Sequence, residues 1–336
     1  MATINDIAKQ LGISKSTVSK GLNHATDISE ELRQKILETA AELGYANKKL
    51  KKSDKKLCIF IENMHWDTPH HFGYDIVRGF RQFAEADGWK VDIIPATIEL
   101  QKLTPYTVFM IQNGYHASFV LGFTLLDPWM RDFGTCKIPT VLYDNYVKNN
   151  PFVASVGCDN QEGFELSVKH LHQLGHRKIG LISGPMESYI TNARHQAYMN
   201  ALSKYNLEIN EDFIRLGYYA SEAARKYVPA LMRNGVTAIL FSHDIRAIAA
   251  INECNSTGIR VPEDLSIIGF DDLPLTTRTE PALTTIHQDR LALGRCGYYA
   301  ISSLLNEVPI GSILLRAPLI VRGSTGPVPK NPHVVV

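Results

Sequence analysis

The sequence predicts an α/β protein with a small all-α segment at its front, and three observations predict it. Helical patterns with caps and a tight turn fill the first 45 or so residues. A lysine-rich stretch then divides the chain at 46–56. From residue 57 onward, short apolar runs alternate with amphipathic stretches, the pattern of parallel strands joined by right-handed crossovers. At 336 residues the chain has room for two or three domains, and 45% apolar residues suffice for packed cores.

In the first predicted helix Ile4, Ile7, Ala8 and Leu11 recur at helical spacing and form one apolar face. Gly12 tolerates the left-handed backbone of a sharp inter-helix turn. Ser14 is placed to cap the second helix by accepting from a free amide. There Val18 and Leu22 point inward with Ile13, while Lys15 with Ser19, and Ser16 with Lys20, share the opposite face. A short cationic helix held across another is what a DNA major groove admits. Ser29 caps a third helix and Glu30 and Glu31 suit its positive end. Leu32, Ile36, Leu37, Ala40 and Leu43 line it, and Gly44 stops it.

Residues 46–56 contain six lysines and one leucine, so they build no core. Residues 1–56 carry a net charge of +4 and the remainder −3, a basic head on a mildly acidic body.

Predicted strands beyond the linker are 57–61, 91–94, 119–122, 140–142, 153–156, 179–183, 238–241 and 266–269. Predicted helices are 74–86, 162–174, 192–205, 222–233, 246–256 and 291–305. The length fits two α/β lobes with a cleft between them. Asp144, Asp244 and Asp271 follow predicted strands, and Arg194 opens a helix after one. Ligands of open α/β sheets bind beyond the carboxyl ends of strands, and carboxylates beside a guanidinium suit adjacent hydroxyls of a small polyhydroxylated molecule.

No nucleotide-binding glycine motif, long apolar segment or signal-peptide pattern occurs, which points to a soluble cytoplasmic protein with no membrane partner. Five scattered cysteines make neither a zinc site nor a disulfide framework. His172 and His176 are four apart, but no carboxylate or cysteine completes a metal set, so neither metal nor cofactor is expected.

Thr3-Ile4-x-Asp6-Ile7-Ala8, Gly12-Ile13-Ser14, Ser16-Thr17-Val18-Ser19, Leu22-Asn23, Ile28-Ser29 and Ala41-x-Leu43-Gly44-Tyr45 together resemble the DNA-binding headpiece of the lactose-repressor (LacI/GalR) family. Gly175–Ile179, Gly258–Asp264, Ser266–Asp272 and Pro281–Asp289 look like that family's sensor core, itself similar to periplasmic sugar-binding proteins. The resemblance implies a headpiece over 1–46, a hinge over 47–56, a sensor and dimerisation domain over 57–327, and a tail over 328–336. It divides the sensor into an N-terminal lobe (57–158, 288–317) and a C-terminal lobe (159–287, 318–327). Lys15, Ser16 and Lys20 become base-edge readers, and Thr3, Thr17, Ser19, Asn23 and Ser29 phosphate or sugar contacts. Lys20 stands where the family commonly has arginine, which alters guanine recognition. The linker lacks the family's hinge motif and is about three residues shorter. Lys48 and Lys49 then serve as a phosphate-clamping tether, or Leu50 wedges into the minor groove.

By family position Phe72, Tyr74, Tyr219, His243 and Gln288 join Asp144, Arg194, Asp244 and Asp271 around an effector. Ser188 and Ile190 flank Arg194 and favour a neutral sugar over a purine or phosphorylated ligand. The implied function is a non-enzymatic repressor, a homodimer on a palindromic operator, switched by a small effector in the inter-lobe cleft. With no leucine heptad after residue 327, no tetramer is expected. The rival readings are a transport solute-binding protein, against which the basic head speaks, and a sugar enzyme, for which no acid–base pair is evident.

Overall fold

The computed structural model describes residues 2–23, 25, 27–45, 55–217 and 220–330. The expectations for Lys48, Lys49, Leu50 and Tyr219 lie outside the described residues.

The front segment folds as α1 (Ile4–Leu11), α2 (Lys15–Leu22) and α3 (Glu30–Leu43). Its caps form as the sequence predicts. Ser14 Oγ accepts from the Thr17 amide at 3.1 Å and Ser29 Oγ from the Leu32 amide at 3.2 Å. Gly12 closes α1 at φ +64°, a backbone that a Cβ would strain. Ile7, Val18, Leu22, Ile36, Leu37 and Ala40 bury together as the core of this small domain.

Beyond residue 54 the elements run β1 (Lys56–Ile61), α4 (Phe72–Ala86), β2 (Lys90–Pro95), α5 (Ile98–Leu103), α6 (Tyr106–Asn113), β3 (Ala117–Leu121), α7 (Trp129–Phe133), β4 (Thr140–Tyr143) and β5 (Val153–Cys158). Next come α8 (Asn160–Gln173), β6 (Ile179–Ser183), α9 (Tyr189–Lys204), β7 (Ile214–Leu216), α10 (Ala220–Glu222), α11 (Val228–Arg233), β8 (Ala238–Phe241) and α12 (Asp244–Thr257). The chain ends through β9 (Ser266–Asp271), β10 (Thr284–His287), α13 (Arg290–Leu305), β11 (Ser312–Leu315) and β12 (Leu319–Ile320).

Two compact units result. One comprises 1–157 with 290–313, the other 158–289 with 314–336. The first holds the sheet β11-β5-β4-β3-β1-β2, in which β1 pairs in parallel with β2 and β3. Its core gathers Phe60, Tyr106, Trp129 and Phe133 edge to face, and the headpiece core continues into Val108 and Ile111 of α6. The second holds β12-β10-β9-β8-β6-β7, parallel from β7 through β10, with β12 antiparallel on β10. Its central strands β6, β8 and β9 are fully buried, with α8 and α9 packed on one face and α11 and α12 on the other.

The predicted strands and helices all form, within a few residues at their ends, except that 222–233 is not one helix. A π-turn at Ala223–Tyr227 interrupts it, and Pro229, which has no amide hydrogen, follows in the first turn of α11. Four strands escape the sequence pattern. β7, β11 and β12 are short or partly exposed. β10 begins Thr284-Thr285 and reads as polar, yet both threonines are buried because their hydroxyls are engaged in hydrogen bonds.

Among the described residues no helix is long and apolar enough to cross a membrane. The histidine cluster is structural. His176 bridges Thr237 Oγ1 at 2.9 Å and the Gly326 carbonyl at 3.1 Å, and His170 meets Thr325 at 3.0 Å, so both tie down the segment after β12.

Candidate nucleic-acid interface and ligand site

On α2, Lys15, Ser16 and Lys20 are exposed together, since Val18 and Leu22 take the buried side. Lys20 is hydrogen-bonded to Asp27, whose carboxyl this contact holds below its ordinary range. Asp27 lies seven residues on, beyond the end of α2, so the helical pattern of α2 does not reveal it. The residues expected to touch phosphate or sugar also hold the local frame. The Thr3 amide and hydroxyl donate to Asp6 at 2.7 and 2.8 Å. Thr17 Oγ1 shares a hydrogen bond with Ser14 at 2.9 Å. Asn23 donates to the Ser19 carbonyl at 2.8 Å and to its hydroxyl at 3.3 Å. Ser29 caps α3.

The carboxyl edge of the second sheet gathers the polar cluster. Arg194, in the second turn of α9, is only 1% exposed. Its Nε donates to Asn160 Oδ1 at 3.0 Å, its Nη1 donates to the Ser242 carbonyl, and its guanidinium lies 3.8 Å over the Phe270 ring. Nη1 is also 3.8 Å from Asp271 Oδ1 and 3.4 Å from His243 Nδ1. Gln288 Nε2 donates to Asp271 Oδ1 at 2.7 Å, and His243 Nδ1 stands 3.5 Å from Oδ2. Burial pushes the His243 imidazole down, against the pull of Asp271. Asp271 sits at φ +125°, a backbone that favours glycine and that in an aspartate marks roughly 1–3 kcal/mol of strain kept at a site.

Asp244 lies beneath this cluster. Thr285 Oγ1 donates to one carboxylate oxygen at 2.6 Å and the Leu273 amide to the other at 2.8 Å, so it ties α12 to β10 and to the loop after β9. A Cβ on Gly269 would stand 2.2 Å from it. Burial, and then the charge of Asp271, push its carboxyl up to about 7. A folded pKa above the unfolded value means the native state holds the proton longer. Stability therefore falls as pH rises from about 4 to about 7, by up to roughly 4 kcal/mol. Chemical denaturation across that window should show Asp244→Asn losing this slope, and parallel curves for the two proteins would refute it.

The remaining expected residues belong to the first unit. Phe72 opens α4 with its ring 6.3 Å from Tyr143, and the Arg290 guanidinium lies 5.8 Å from it. Tyr74 stands 5.9 Å from the Arg78 guanidinium. Asp144 follows β4 at φ +49°, and its amide donates to the Val156 carbonyl at 2.9 Å.

Sequence reasoning passes over three residues of the second sheet's edge. Ser183 and Ser242 follow each other's register at the ends of β6 and β8 and are 0% exposed, with hydroxyls that have no hydrogen-bond partner among the described residues. Arg246, half-buried in the first turn of α12, donates from Nη2 to the Gly217 carbonyl at 3.0 Å and has an unpartnered buried Nε. In the sequence it reads as one more polar position on an amphipathic helix.

A profile described as "Bacterial regulatory proteins, lacI family" matches residues 3–47, and one described as "Periplasmic binding protein-like domain" matches 168–325. The HTH-type transcriptional repressor CytR of Escherichia coli (strain K12) is 29% identical, covering 98% of this chain and 97% of that protein. Among solved structures, the lac repressor dimer bound to operator and the anti-inducer ONPF superposes with TM-score 0.68 at 23% identity, covering 97% of this chain and 99% of that one. The transcriptional regulator CelR–cellobiose complex gives 0.69 at 22%, covering 96% and 100%. At these identities the structural likeness is one of fold.

Proposed function

Because the chain belongs to the lacI family of bacterial regulatory proteins, we propose that it is a sequence-specific transcriptional repressor whose operator affinity is set by a small sugar. One observation carries this reading: a single chain joins the exposed Lys15–Ser16–Lys20 face of α2 to a buried Arg194–Asp271 cluster at the carboxyl edge of a parallel sheet. The first can read base edges, and the second can grip adjacent hydroxyls.

In this reading Lys15, Ser16 and Lys20 enter the major groove, with Asp27 steadying Lys20 until DNA replaces it. Thr3, Thr17, Ser19, Asn23 and Ser29 face the phosphates. Two chains form a homodimer on a palindromic operator, as the two-fold symmetry of such sites requires. Arg194, His243, Asp271 and Gln288 hold the sugar, while Asp244 supports them from below. The protein works by binding and release in the bacterial cytoplasm, without catalysis or cofactor. The cellobiose complex of a protein of the same fold supports a sugar as the ligand.

Lys20→Ala should weaken binding to a selected operator about ten- to a hundred-fold and leave sugar affinity intact. Fluorescence anisotropy on labelled DNA measures this, and wild-type operator affinity in the variant would remove α2 from the interface.

A further inference from the structure

The sugar site has more positive charge than a neutral sugar uses. The charge of Arg194 is met within the protein by Asp271, and its Nε and Nη1 by Asn160 and the Ser242 carbonyl, whatever it offers a hydroxyl of the sugar. The charge of Arg246 is not met in this way. Among the described residues Arg246 makes one hydrogen bond, to a backbone carbonyl, and no carboxylate lies within ion-pair distance of it. Burial opposes its charge, while the field of Asp271 favours it and that of Arg194 opposes it, which places it in the same electrostatic cluster. Asp271 cannot neutralise both guanidiniums, being already engaged by Arg194, His243 and Gln288.

A half-buried guanidinium with an unpartnered buried Nε is costly unless an anion completes it. At the same sheet edge two fully buried hydroxyls, those of Ser183 and Ser242, have no partner among the described residues. Arg246 comes to this edge from α12: its Nη atoms lie 3.6 and 3.7 Å from where a Cβ on Gly184, the residue after Ser183, would be. Unmet among the described residues at the carboxyl edge of β6 and β8 are thus a cation and two hydroxyls. Donors in excess call for a ligand rich in acceptors, and a planar guanidinium matches a carboxylate by two parallel hydrogen bonds.

We propose that the ligand is an acidic sugar, a hexuronate or hexonate, whose carboxylate is received by Arg246 while Ser183 and Ser242 donate to neighbouring oxygens. This rests on the sugar-regulated reading above and departs from the expectation of a neutral sugar. That expectation was drawn from the flanks of Arg194, where Ser188 and Ile190 offer no charge, whereas the second cation arrives from a different helix.

The test is calorimetric titration and thermal melting of the full-length protein against matched sets. One set is D-glucose, D-glucuronate, D-gluconate and D-glucose 6-phosphate, and the other is D-galactose, D-galacturonate and D-galactonate. At least one acid should bind and raise the melting temperature where its neutral parent at equal concentration does not. Arg246→Met should weaken that acid about ten- to a hundred-fold, the loss of a charge-assisted hydrogen bond, and Arg246→Lys should recover part of it. Ser183→Ala, a smaller change, should weaken it in the same direction.

The proposal is overturned if a neutral parent binds as tightly as its acid, if only the phosphate binds, if no acid binds, or if Arg246→Met leaves the acid's affinity unchanged. Operator binding measured on the same preparation separates the two levels. Retained operator binding with any of these results removes the acidic sugar alone, and no sequence-selective DNA binding removes the regulator reading itself.

Discussion

Arg194→Ala should destabilise the second unit by about 3–5 kcal/mol and abolish the response of DNA binding to ligand. The guanidinium is 1% exposed, and its burial is tolerated only because Asn160, the Ser242 carbonyl, Asp271 and the Phe270 ring surround it. Alanine leaves the Asp271 carboxylate buried with Gln288 and a neutral-leaning His243, and opens a cavity as large as the lost side chain. Arg194→Lys keeps the charge but loses the planar fork, so it should fall between the two. Denaturant unfolding gives the stability loss, and operator titrations with and without ligand, below the variant's melting point, give the response. A wild-type response in the alanine variant would place the ligand elsewhere.

Val18→Asp should abolish operator binding and leave ligand binding in place. Val18 is fully buried at the centre of the headpiece core, against Ile7, Leu22, Ile36 and Leu37. A carboxylate there finds no partner, and the several kcal/mol of its burial exceed what so small a core supplies. The cluster proposed to hold the ligand lies in the other compact unit, built on β6, β8 and β9. The expected result is loss of sequence-selective DNA retention with an undiminished thermal shift on ligand addition. Operator affinity equal to wild type would mean the three-helix segment does not read DNA.

The headpiece was legible because its signals are local. Gly12, Ser14, Ser29 and Gly44 each act within four residues of where they stand in the chain, and the structure gives each the role that spacing predicts. The buried strands were legible as apolar runs. What spacing does not show is polarity satisfied at long range. Thr284 and Thr285 look like loop residues until Arg322 and Asp244, dozens of residues away, take up their hydroxyls. Lys20 likewise looks like a free cation until Asp27 comes round the turn.

The proposed ligand cluster divides in the same way. Asp271 stands out as an acid at a strand's end, whereas its contact with Gln288 follows only from the pairing of β9 with β10. Ser183, Ser242 and Arg246 carry no motif. They become informative only when neighbouring strands and the first turn of α12 leave their donors buried without partners.

The most direct test is selection of DNA sites from a random pool by the full-length protein, followed by titration of the enriched site with and without the sugar acids. The account predicts enriched sites with two-fold symmetric half-sites, and an affinity that changes by about tenfold or more when a bound ligand is added. No enriched sequence at any salt concentration, or an enriched site whose affinity every ligand-binding condition leaves unchanged, would contradict it.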